Sequence, residues 1–313
     1  MHMSQEKEQK HLQVLLLGNG INQLNGGKSW NEFLRDITTK QEILDGIIQL
    51  EKLQCPEPLK AILVTEDHID VAMKNYCKKI AFEKQSPQIC EIYKTILTMG
   101  FDDILTTNYT YELEVAAAAP KEINESKVRA MARNTLGRRV ENKYLLHTYN
   151  CLKVLECENR VWHIHGEARK PDSTVLGHYY YGNLLFKIKK FLERRKYAYI
   201  TESESWIDSF IMGDVYILGF GFAFSEMDLW WLLNRKAREK SDVGKVYFYE
   251  AKPDGFNEKQ EILRMMKRAS DGEPLVEIID CGFDEKELKT FNDKYEAFYK
   301  AAIEDIYTKM NKG

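Results

Sequence analysis

The chain has 313 residues, enough for one large α/β domain with a smaller insertion or for two modest domains, and its 44% hydrophobic and 30% charged residues are an ordinary globular balance. The formal net charge of −3 argues against a dedicated nucleic-acid-binding protein, so no direct contact with nucleic acid is expected. No apolar run reaches the length of a secretion signal or a transmembrane helix, and a cytoplasmic protein without membrane contact is expected. The six cysteines include no Cys-x-x-Cys pair, which argues against a zinc site of that spacing and predicts reduced thiols.

Short apolar runs rich in β-forming residues recur along the chain. Most are apolar throughout rather than alternating, which is typical of strands that helices cover on both faces. The segments between them have helical periodicity. Strands that alternate with helices predict an α/β protein with a Rossmann-like, doubly wound parallel sheet. The predicted strands are Val14–Leu17, Asp103–Thr106, Val161–Ile164, Val215–Leu218, Val246–Tyr249 and Val276–Ile279.

The predicted strands are unevenly spaced. About 85 residues separate the first from the second, far more than one crossover helix needs. A second long gap runs from about residue 110 to about residue 160. We therefore predict one domain over residues 12–285, with helical insertions or a cap at about 40–100 and 112–158.

Residues 286–313 are predicted to form a C-terminal helix. Asp284 and Glu287 resemble a capping pair, and apolar residues then recur at three- and four-residue steps. The stripe predicts that this helix packs on the domain, with self-association as the alternative. Its members are Leu288, Phe291, Tyr295, Phe298, Ala302 and Ile306.

The first predicted strand runs directly into a Gly-x-Gly turn. The turn consists of Gly18, Asn19 and Gly20, with Ile21 and Asn22 after it. Glycine lets the backbone approach a phosphate, and free amides can then bind the anion. Ser29 and Glu32 fit a capping box that begins the next helix. Leu24 stands where a full Gly-x-Gly-x-x-Gly motif has its third glycine, so a turn without a ligand is the alternative.

The second predicted strand ends in small polar residues, Thr106, Thr107 and Asn108, followed by Tyr109 and Thr110. Ligands in open α/β sheets bind beyond the carboxyl ends of the strands, so this cluster is well situated for a site. Threonine and asparagine are also favoured in turns and at helix N-termini, which is the alternative interpretation.

The third predicted strand contains two histidines, His163 and His165, and Gly166 follows them. Strand alternation is expected to direct both histidines to one face. His165, at the strand end, is well situated for a general base with a pKa near neutrality. A structural histidine and a two-histidine metal site are the alternatives. No third ligand has a suitable spacing, and no metal is expected.

A second strand with a Gly-x-Gly turn comes later in the chain. Gly219, Phe220 and Gly221 follow the strand, and Ser225 and Asp228 suit the cap of the next helix. A dinucleotide has two halves, and a doubly wound sheet offers a crevice where its strand order reverses. Two such turns in one chain therefore favour a dinucleotide site over a single unoccupied turn.

In their order and rough spacing, these four motifs resemble the sirtuin-like NAD⁺-hydrolase superfamily. The segment 18–22 resembles the Gly-Ala-Gly-Ile-Ser phosphate loop of that family. The segment 106–108 resembles Thr-Gln-Asn, whose asparagine lies beside the nicotinamide ribose. His165 with Gly166 resembles the catalytic His-Gly pair.

The later motifs extend the same resemblance. The segment 219–221 with Ser225 resembles the Gly-Thr-Ser segment that lines the ADP-ribose, and Glu250 ends the strand expected near the adenosine. The matching motifs cover less than a third of the chain but frame residues 12 to about 285. Two features depart from the family: the Cys-x-x-Cys pairs of the zinc module are missing, and Thr110 replaces the usual aspartate, which puts the usual contact to the nicotinamide amide in doubt.

The chain looks closest to bacterial sirtuin-like effectors of anti-phage defence, which are associated with NAD⁺ hydrolysis rather than deacetylation. The resemblance implies abortive infection as the role, NAD⁺ as the substrate, a homo-oligomer, and a partner such as a HerA-type ATPase or a short Argonaute. It also implies that Asn108 orients water and the ribose hydroxyls and that His165 is the general base. The implied NAD⁺-binding residues are Gly18, Asn19, Gly20, Ile21, Asn22, Thr106, Thr107, Tyr109, Gly219, Phe220, Gly221, Ser225 and Glu250.

Three other functions stay open at this point. A protein deacylase needs a peptide groove that usually borders the missing zinc module. A module that senses NAD⁺ or ADP-ribose without turnover agrees with Thr110 in place of the aspartate. An ordinary Rossmann dehydrogenase is disfavoured by the incomplete glycine motif and by the His-Gly at a strand end.

Overall fold

The computed structural model of the protein describes residues 11–24, 28–38, 46, 55–65, 68–80, 86–118, 123–134, 143–197, 202–251, 257–281 and 290–312. Within these ranges, eight strands form one sheet, and helices cover both of its faces. The strands are β1 (Gln13–Leu17), β2 (Asp103–Thr106), β3 (Ala132–Asn134), β4 (Thr148–Val154), β5 (Cys157–His163), β6 (Asp214–Leu218), β7 (Val246–Glu250) and β8 (Val276–Asp280). The helices are α1 (Trp30–Ile37), α2 (Glu57–Thr65), α3 (Ile69–Ile80), α4 (Pro87–Leu97), α5 (Glu112–Ala117), α6 (Glu125–Met131), α7 (His178–Leu192), α8 (Trp206–Met212), α9 (Met227–Ala237), α10 (Glu258–Met265) and α11 (Phe291–Lys312).

The strand order of the sheet is β3-β4-β5-β2-β1-β6-β7-β8. The six strands from β5 to β8 in this order are parallel, and β4 is antiparallel to both of its neighbours, β3 and β5. β1 pairs with β2 on one side and with β6 on the other, so the direction of winding reverses at β1. The predicted Rossmann-like, doubly wound α/β fold is confirmed, with an antiparallel extension at one edge.

The central strands contain apolar runs because each strand contributes to two cores. In β1, Val14 and Leu16 face one core, and Leu15 and Leu17 face the other. All four side chains are at most 1% exposed. A strand with two buried faces favours apolar side chains at successive positions, which explains the apolar runs.

The second predicted helical insertion is only partly helical. α5 and α6 lie within it, but so do β3, β4 and the first half of β5. The prediction of a helical segment over 112–158 was wrong for these strands. In β4, buried Leu152 is followed by exposed Lys153, so the strand is half polar and does not appear as an apolar run. β5 begins at Cys157 rather than Val161 because its polar first half pairs with β4.

The first predicted insertion contains α2, α3 and α4. α4 packs against the sheet, whereas α2 and α3 join α1 in a separate small core. Leu34, Ala61 and Met73, one from each of these three helices, are fully buried there. This small core forms a helical cap beside the sheet. Residues 40–45, 47–54, 66–67 and 81–85 of the predicted segment lie outside the described residues.

The C-terminal helix packs on the domain, as predicted. Phe298, Ala302 and Ile306 are buried in the same core as α4, and α11 begins at Phe291. Asp284, Glu287 and Leu288, which the sequence indicated as the start of this helix, lie outside the described residues.

A fully buried lysine closes the end of α8. Nζ of Lys236, on α9, donates hydrogen bonds to the carbonyls of Phe210 (3.1 Å), Ile211 (2.8 Å) and Gly213 (2.6 Å). The last carbonyls of a helix have no partner within the helix, so one side chain here serves three of them. Lys236→Met would leave these acceptors buried without a donor. We expect it to lower the free energy of unfolding by about 1–3 kcal/mol, measured by urea denaturation.

A matched substitution separates this loss from the general removal of a positive charge. Lys240 lies just beyond the same helix and is exposed. Lys240→Met is expected to change the free energy of unfolding by less than about 0.5 kcal/mol. Equal stability of the two variants would show that the Lys236 hydrogen bonds contribute nothing to the fold.

Candidate functional site

A cavity of about 740 Å³ opens beyond the carboxyl ends of β1, β2 and β6. These strands are neighbours, and the direction of winding reverses between them, which is where open α/β sheets bind ligands. The volume lies within the range of small-molecule and cofactor sites. The helical cap supplies the outer wall. Predicted site residues that line the cavity are Asn19, Gly20, Asn22, Thr107, Asn108, Tyr109, His165, Gly219, Phe220, Gly221 and Ser225.

The two Gly-x-Gly turns lie back to back. The Gly18 amide donates to the Leu218 carbonyl (3.2 Å), and the Gly20 amide donates to the Gly219 carbonyl (2.7 Å). These two amides hold the turns together and are not free for a phosphate, contrary to the expectation from the sequence. Gly18 lies behind the turn rather than in the cavity wall, and Ile21 is fully buried in the core, so neither is in contact with the cavity.

Close backbone contact between the turns requires glycine at position 18. A Cβ atom there would lie 2.5 Å from the Gly219 carbonyl oxygen and 2.6 Å from Cα of Phe220. Because these are backbone atoms, Gly18→Ala must separate the turns. We expect a loss of about 1–3 kcal/mol in the free energy of unfolding, measured by urea denaturation.

Gly182→Ala is the matched control for this prediction. Gly182 lies within α7, and a Cβ atom there would meet nothing within 4 Å. Alanine is the better helix former, so this variant is expected to gain up to about 1 kcal/mol. A Gly18→Ala protein as stable as the wild type would contradict the tight apposition of the turns.

The polar side chains after β1 are ordered by contacts with each other and with α4. Nδ2 of Asn22 donates to Oδ1 of Asn19 (3.0 Å), and the Tyr93 hydroxyl donates to Oδ1 of Asn22 (2.7 Å). Nδ2 of Asn19 donates to the Lys28 carbonyl (3.0 Å). The predicted capping box of Ser29 and Glu32 then begins α1, with both reciprocal contacts present. The rim of the cavity beside β1 is therefore a fixed polar surface.

Asn108 is held at three of its polar groups. Its amide donates to Oγ1 of Thr106 (3.1 Å), and its Nδ2 donates to the Gly18 carbonyl (3.4 Å). Its own carbonyl accepts from Nδ1 of His163 (2.9 Å). Within the described residues, Oδ1 has no hydrogen-bond partner, and the residue lines the cavity. Asn108 thus presents a fixed acceptor to a ligand. Thr106 supports Asn108 by accepting its backbone amide and does not itself line the large cavity.

His163 supports Asn108 from behind and has no contact with the large cavity. Its Nε2 donates to Oε1 of Glu114 (3.1 Å), which also accepts from Nδ2 of Asn150 (2.8 Å). Burial opposes the charged ring, but the Glu114 carboxylate outweighs it and raises the pKa of His163 to about 9. Both ring nitrogens therefore donate, one to the carbonyl of Asn108 and one to Glu114. The sequence did not indicate Glu114 as part of this network.

The two histidines do not share a face, contrary to the prediction. β5 ends at His163, and the chain turns through Ile164 and His165, so strand alternation stops before His165. His165 packs edge-on against the Tyr181 ring (5.4 Å between centroids) and lines the large cavity. Only one of the two histidines is therefore available to a ligand in this cavity.

Two carboxylates flank His165. Its Nε2 donates to Oδ2 of Asp228 (2.9 Å), and its Nδ1 lies 3.8 Å from Oε2 of Glu226. Asp228 is fully buried, whereas Glu226 lines the cavity and accepts a hydrogen bond from the Tyr181 hydroxyl (2.8 Å). The sequence indicated Asp228 as a helix cap. In the structure α9 has no side-chain cap, because Asp228 turns inward to His165.

The charge state of His165 follows from this arrangement. Burial favours the neutral ring, but the Asp228 carboxylate and its hydrogen bond, together with Glu226, raise the pKa of His165 above its ordinary value. Asp228 also fixes which nitrogen carries the proton, because a carboxylate can only accept. The Nδ1 edge is then the side of the ring that is not held by Asp228.

Thr110, where the sequence resemblance led us to expect an aspartate, has a carboxylate beside it. Thr110 lines the cavity and hydrogen-bonds Oε1 of Glu112, which lines it as well. Burial raises the pKa of Glu112. The carboxylate in this part of the wall therefore belongs to Glu112, two residues after Thr110. Glu114, two residues further on, does not line this cavity and binds His163 instead.

Glu250 lies apart from the cavity wall. It ends β7 and accepts hydrogen bonds from Nζ of Lys259 (3.0 Å) and from Gln260. Nζ of Lys259 also donates to the Gly221 carbonyl (2.8 Å), which links α10 to the second glycine turn. Glu250, which was predicted to lie near the adenosine, therefore forms an ion pair with Lys259 and does not line the cavity.

One group of described residues has the composition of a metal site. Donor atoms of His165, Glu226 and Asp228 lie within 4.8 Å of one another. The hydrogen bonds account for their positions, since Asp228 already binds His165, and Glu226 already binds Tyr181. We therefore treat the group as an ion-paired histidine.

Comparison with known proteins does not assign a family. The chain matches no protein-family model and no curated protein. No helix in the described ranges has the length and apolar character needed to cross a membrane. The functional interpretation therefore depends on the cavity and on the side chains around it.

Proposed function

We propose that the protein is an NAD⁺ hydrolase that cleaves NAD⁺ to nicotinamide and ADP-ribose. The observation that carries the proposal is that Asn108 and His165 line one cavity at the reversal point of the sheet, and that residues of both Gly-x-Gly turns line the same cavity. The cavity is lined by polar residues at the glycine turns and by aromatic side chains beside the helical cap, a combination that suits a dinucleotide. These aromatic side chains are Trp30, Phe33, Tyr76 and Tyr109, against which a planar ring can stack.

The bond that breaks is the N-glycosidic link between nicotinamide and ribose. Nicotinamide leaves as a neutral molecule, and positive charge develops on the ribose. The fixed Oδ1 acceptor of Asn108 suits the orientation of a water molecule or a ribose hydroxyl, and such orientation supplies a large part of catalysis. His165 in its neutral form accepts the proton, directly from water or through a ribose hydroxyl. The Asp228 contact stabilises the imidazolium that results.

The biological context of the proposal comes from the resemblance of the motifs. We propose a cytoplasmic effector of bacterial anti-phage defence that acts by abortive infection, as a homo-oligomer and under control of a partner such as a HerA-type ATPase or a short Argonaute. Control is expected because an unregulated NAD⁺ hydrolase would deplete its own cell.

A sensor that binds NAD⁺ or ADP-ribose without turnover is the second candidate. Two observations favour it: Thr110 occupies the position of the family aspartate, and the amides of Gly18 and Gly20 are already engaged. Both observations concern substrate binding and orientation rather than the Asn108 and His165 pair.

One experiment separates the candidates. The full chain is incubated with NAD⁺, with and without an acetyl-lysine peptide, and nicotinamide and ADP-ribose are quantified while NAD⁺ binding is measured by calorimetry. We expect equal amounts of nicotinamide and ADP-ribose without the peptide. Binding without nicotinamide identifies a sensor, and nicotinamide release that requires the peptide identifies a deacylase.

A further inference from the structure

A second carboxylate faces the cavity beside His165. Glu226 lies where the chain leaves the second glycine turn and enters α9. At this N-cap position Ser, Thr, Asp or Asn usually accepts a hydrogen bond from the first helix amides, but Glu226 makes no such hydrogen bond. Its side chain turns toward the cavity, so helix stability does not explain its position.

The Glu226 carboxylate is held at one oxygen and open at the other. Oε2 accepts from the Tyr181 hydroxyl (2.8 Å) and lies 3.8 Å from Nδ1 of His165. Tyr181 is buried and packs edge-on against the His165 ring, so this anchor is rigid. No described residue donates a hydrogen bond to Oε1 of Glu226. The side chain is 20% exposed, and the cavity is the space it borders.

Asp228 does not have the same role. Its side chain is fully buried, it does not line the cavity, and its contact to His165 orients the ring. Glu226 is thus the one of the two flanking carboxylates that a ligand in the cavity can touch. A charge held at a fixed place, with water partly excluded, interacts strongly with an opposite charge that develops next to it.

We propose that Glu226 is a further catalytic residue, whose carboxylate contacts the ribose at the carbon that loses nicotinamide and stabilises the positive charge there. This inference rests on the proposed hydrolase function. The C–N bond breaks with its electron pair passing to the nicotinamide ring nitrogen, which becomes neutral. The water oxygen bonds to the ribose carbon, its proton passes to His165, and Glu226 remains ionised throughout.

The chemistry resembles that of glycoside hydrolysis, in which carboxylates stabilise an oxocarbenium-like transition state. The open Oε1 can accept a hydrogen bond from a ribose hydroxyl, which fixes the sugar relative to the carboxylate. Both contacts matter most when the ribose is charged. Loss of Glu226 should therefore lower kcat more than it weakens substrate binding.

The test compares Glu226→Gln with the wild type in NAD⁺ turnover. Glutamine keeps the shape of the side chain and the Tyr181 contact but removes the charge. We expect kcat for nicotinamide release to fall by about 10²-fold or more, with KM for NAD⁺ and Kd for ADP-ribose changed by less than about 3-fold. Glu226→Asp keeps the charge on a shorter side chain, and its kcat is expected to lie between those of the wild type and Glu226→Gln. It also provides a folded comparison if the glutamine variant is unstable.

Glu304→Gln is the matched control, because Glu304 is exposed on α11 outside the cavity wall. It is expected to leave kcat unchanged. A Glu226→Gln protein with kcat within about 3-fold of an active wild type would overturn the role of Glu226 and leave the hydrolase proposal intact. A wild-type chain that releases no nicotinamide would overturn both.

Discussion

Replacement of His165 by alanine is expected to lower kcat for nicotinamide release by about 10²–10⁴-fold, the usual contribution of a general base. The ring lines the cavity and Asp228 holds its Nε2, so His165 is a proton acceptor of fixed orientation in the cavity wall. Alanine removes the acceptor without disturbing the glycine turns. Release of nicotinamide from NAD⁺ is the measurement, and thermal unfolding checks that the variant is folded.

His178→Ala is the matched control for this loss. His178 begins α7, is exposed and does not line the cavity. It is expected to keep the wild-type rate. A His165→Ala protein that is as active as His178→Ala would remove His165 from the mechanism.

Asn108→Ala is expected to abolish turnover in the same assay for a different reason. The variant loses the Oδ1 acceptor that faces the cavity and the Nδ2 bond to Gly18, while its backbone contacts to Thr106 and His163 can persist. The fold should therefore survive, and ADP-ribose binding should be retained. Full NAD⁺ loss in both the Asn108→Ala and the His165→Ala proteins would exclude this pair as the reacting site.

Asp228→Asn is expected to reduce kcat by on the order of 10²–10⁴-fold, as expected when a buried acid no longer orients a catalytic histidine. A carboxylate can only accept a hydrogen bond, so Asp228 requires the proton to be on Nε2 of His165. Asparagine can present its amide N–H to the same nitrogen, which favours the opposite tautomer. In that tautomer Nδ1 of His165 carries the proton, so the ring presents an N–H rather than a lone pair to the cavity.

The pH dependence of the reaction is expected to change in the same variant. The raised pKa of His165 means that the ring is protonated below that pKa, and only the neutral ring can act as a base. For the wild type, kcat/KM for NAD⁺ should therefore rise with pH, along a limb centred above 6.5, and be lost as pH falls. Asp228→Asn removes the largest stabilisation of the charged ring, so its limb should move to lower pH.

Asp242→Asn serves as the control for this profile, because the Asp242 side chain is 77% exposed and outside the cavity wall. Its pH profile should coincide with that of the wild type. An Asp228→Asn profile that also coincides with the wild type would show that Asp228 does not set the pKa of His165.

The parts of the fold that could be predicted are those in which local sequence and tertiary environment agree. β1 is apolar from Val14 to Leu17 because both of its faces are buried, and Ser29 with Glu32 caps α1 through contacts three residues apart. β4 was missed because its buried positions alternate with half-buried or exposed ones, and β3 was missed because it has only three residues.

The carboxylates of the site could not be predicted because their partners are distant in sequence. Asp228 is 63 residues from His165, and Glu114 is 49 residues from His163. From the sequence alone, Glu226 and Asp228 at the start of α9 resemble a helix cap. Only the packing of α9 beside the turn that follows β5 shows that both acids lie close to His165. Ile21 illustrates the reverse error, since it lies within a ligand-binding motif but its side chain belongs to the core.

The most direct measurement is the time course of nicotinamide and ADP-ribose formation by the purified full chain in NAD⁺, run beside the Asn108→Ala protein. We expect equimolar products from the wild type. The variant should form none, although it still binds ADP-ribose. A wild-type chain that binds NAD⁺ in calorimetry but forms neither product would contradict hydrolysis.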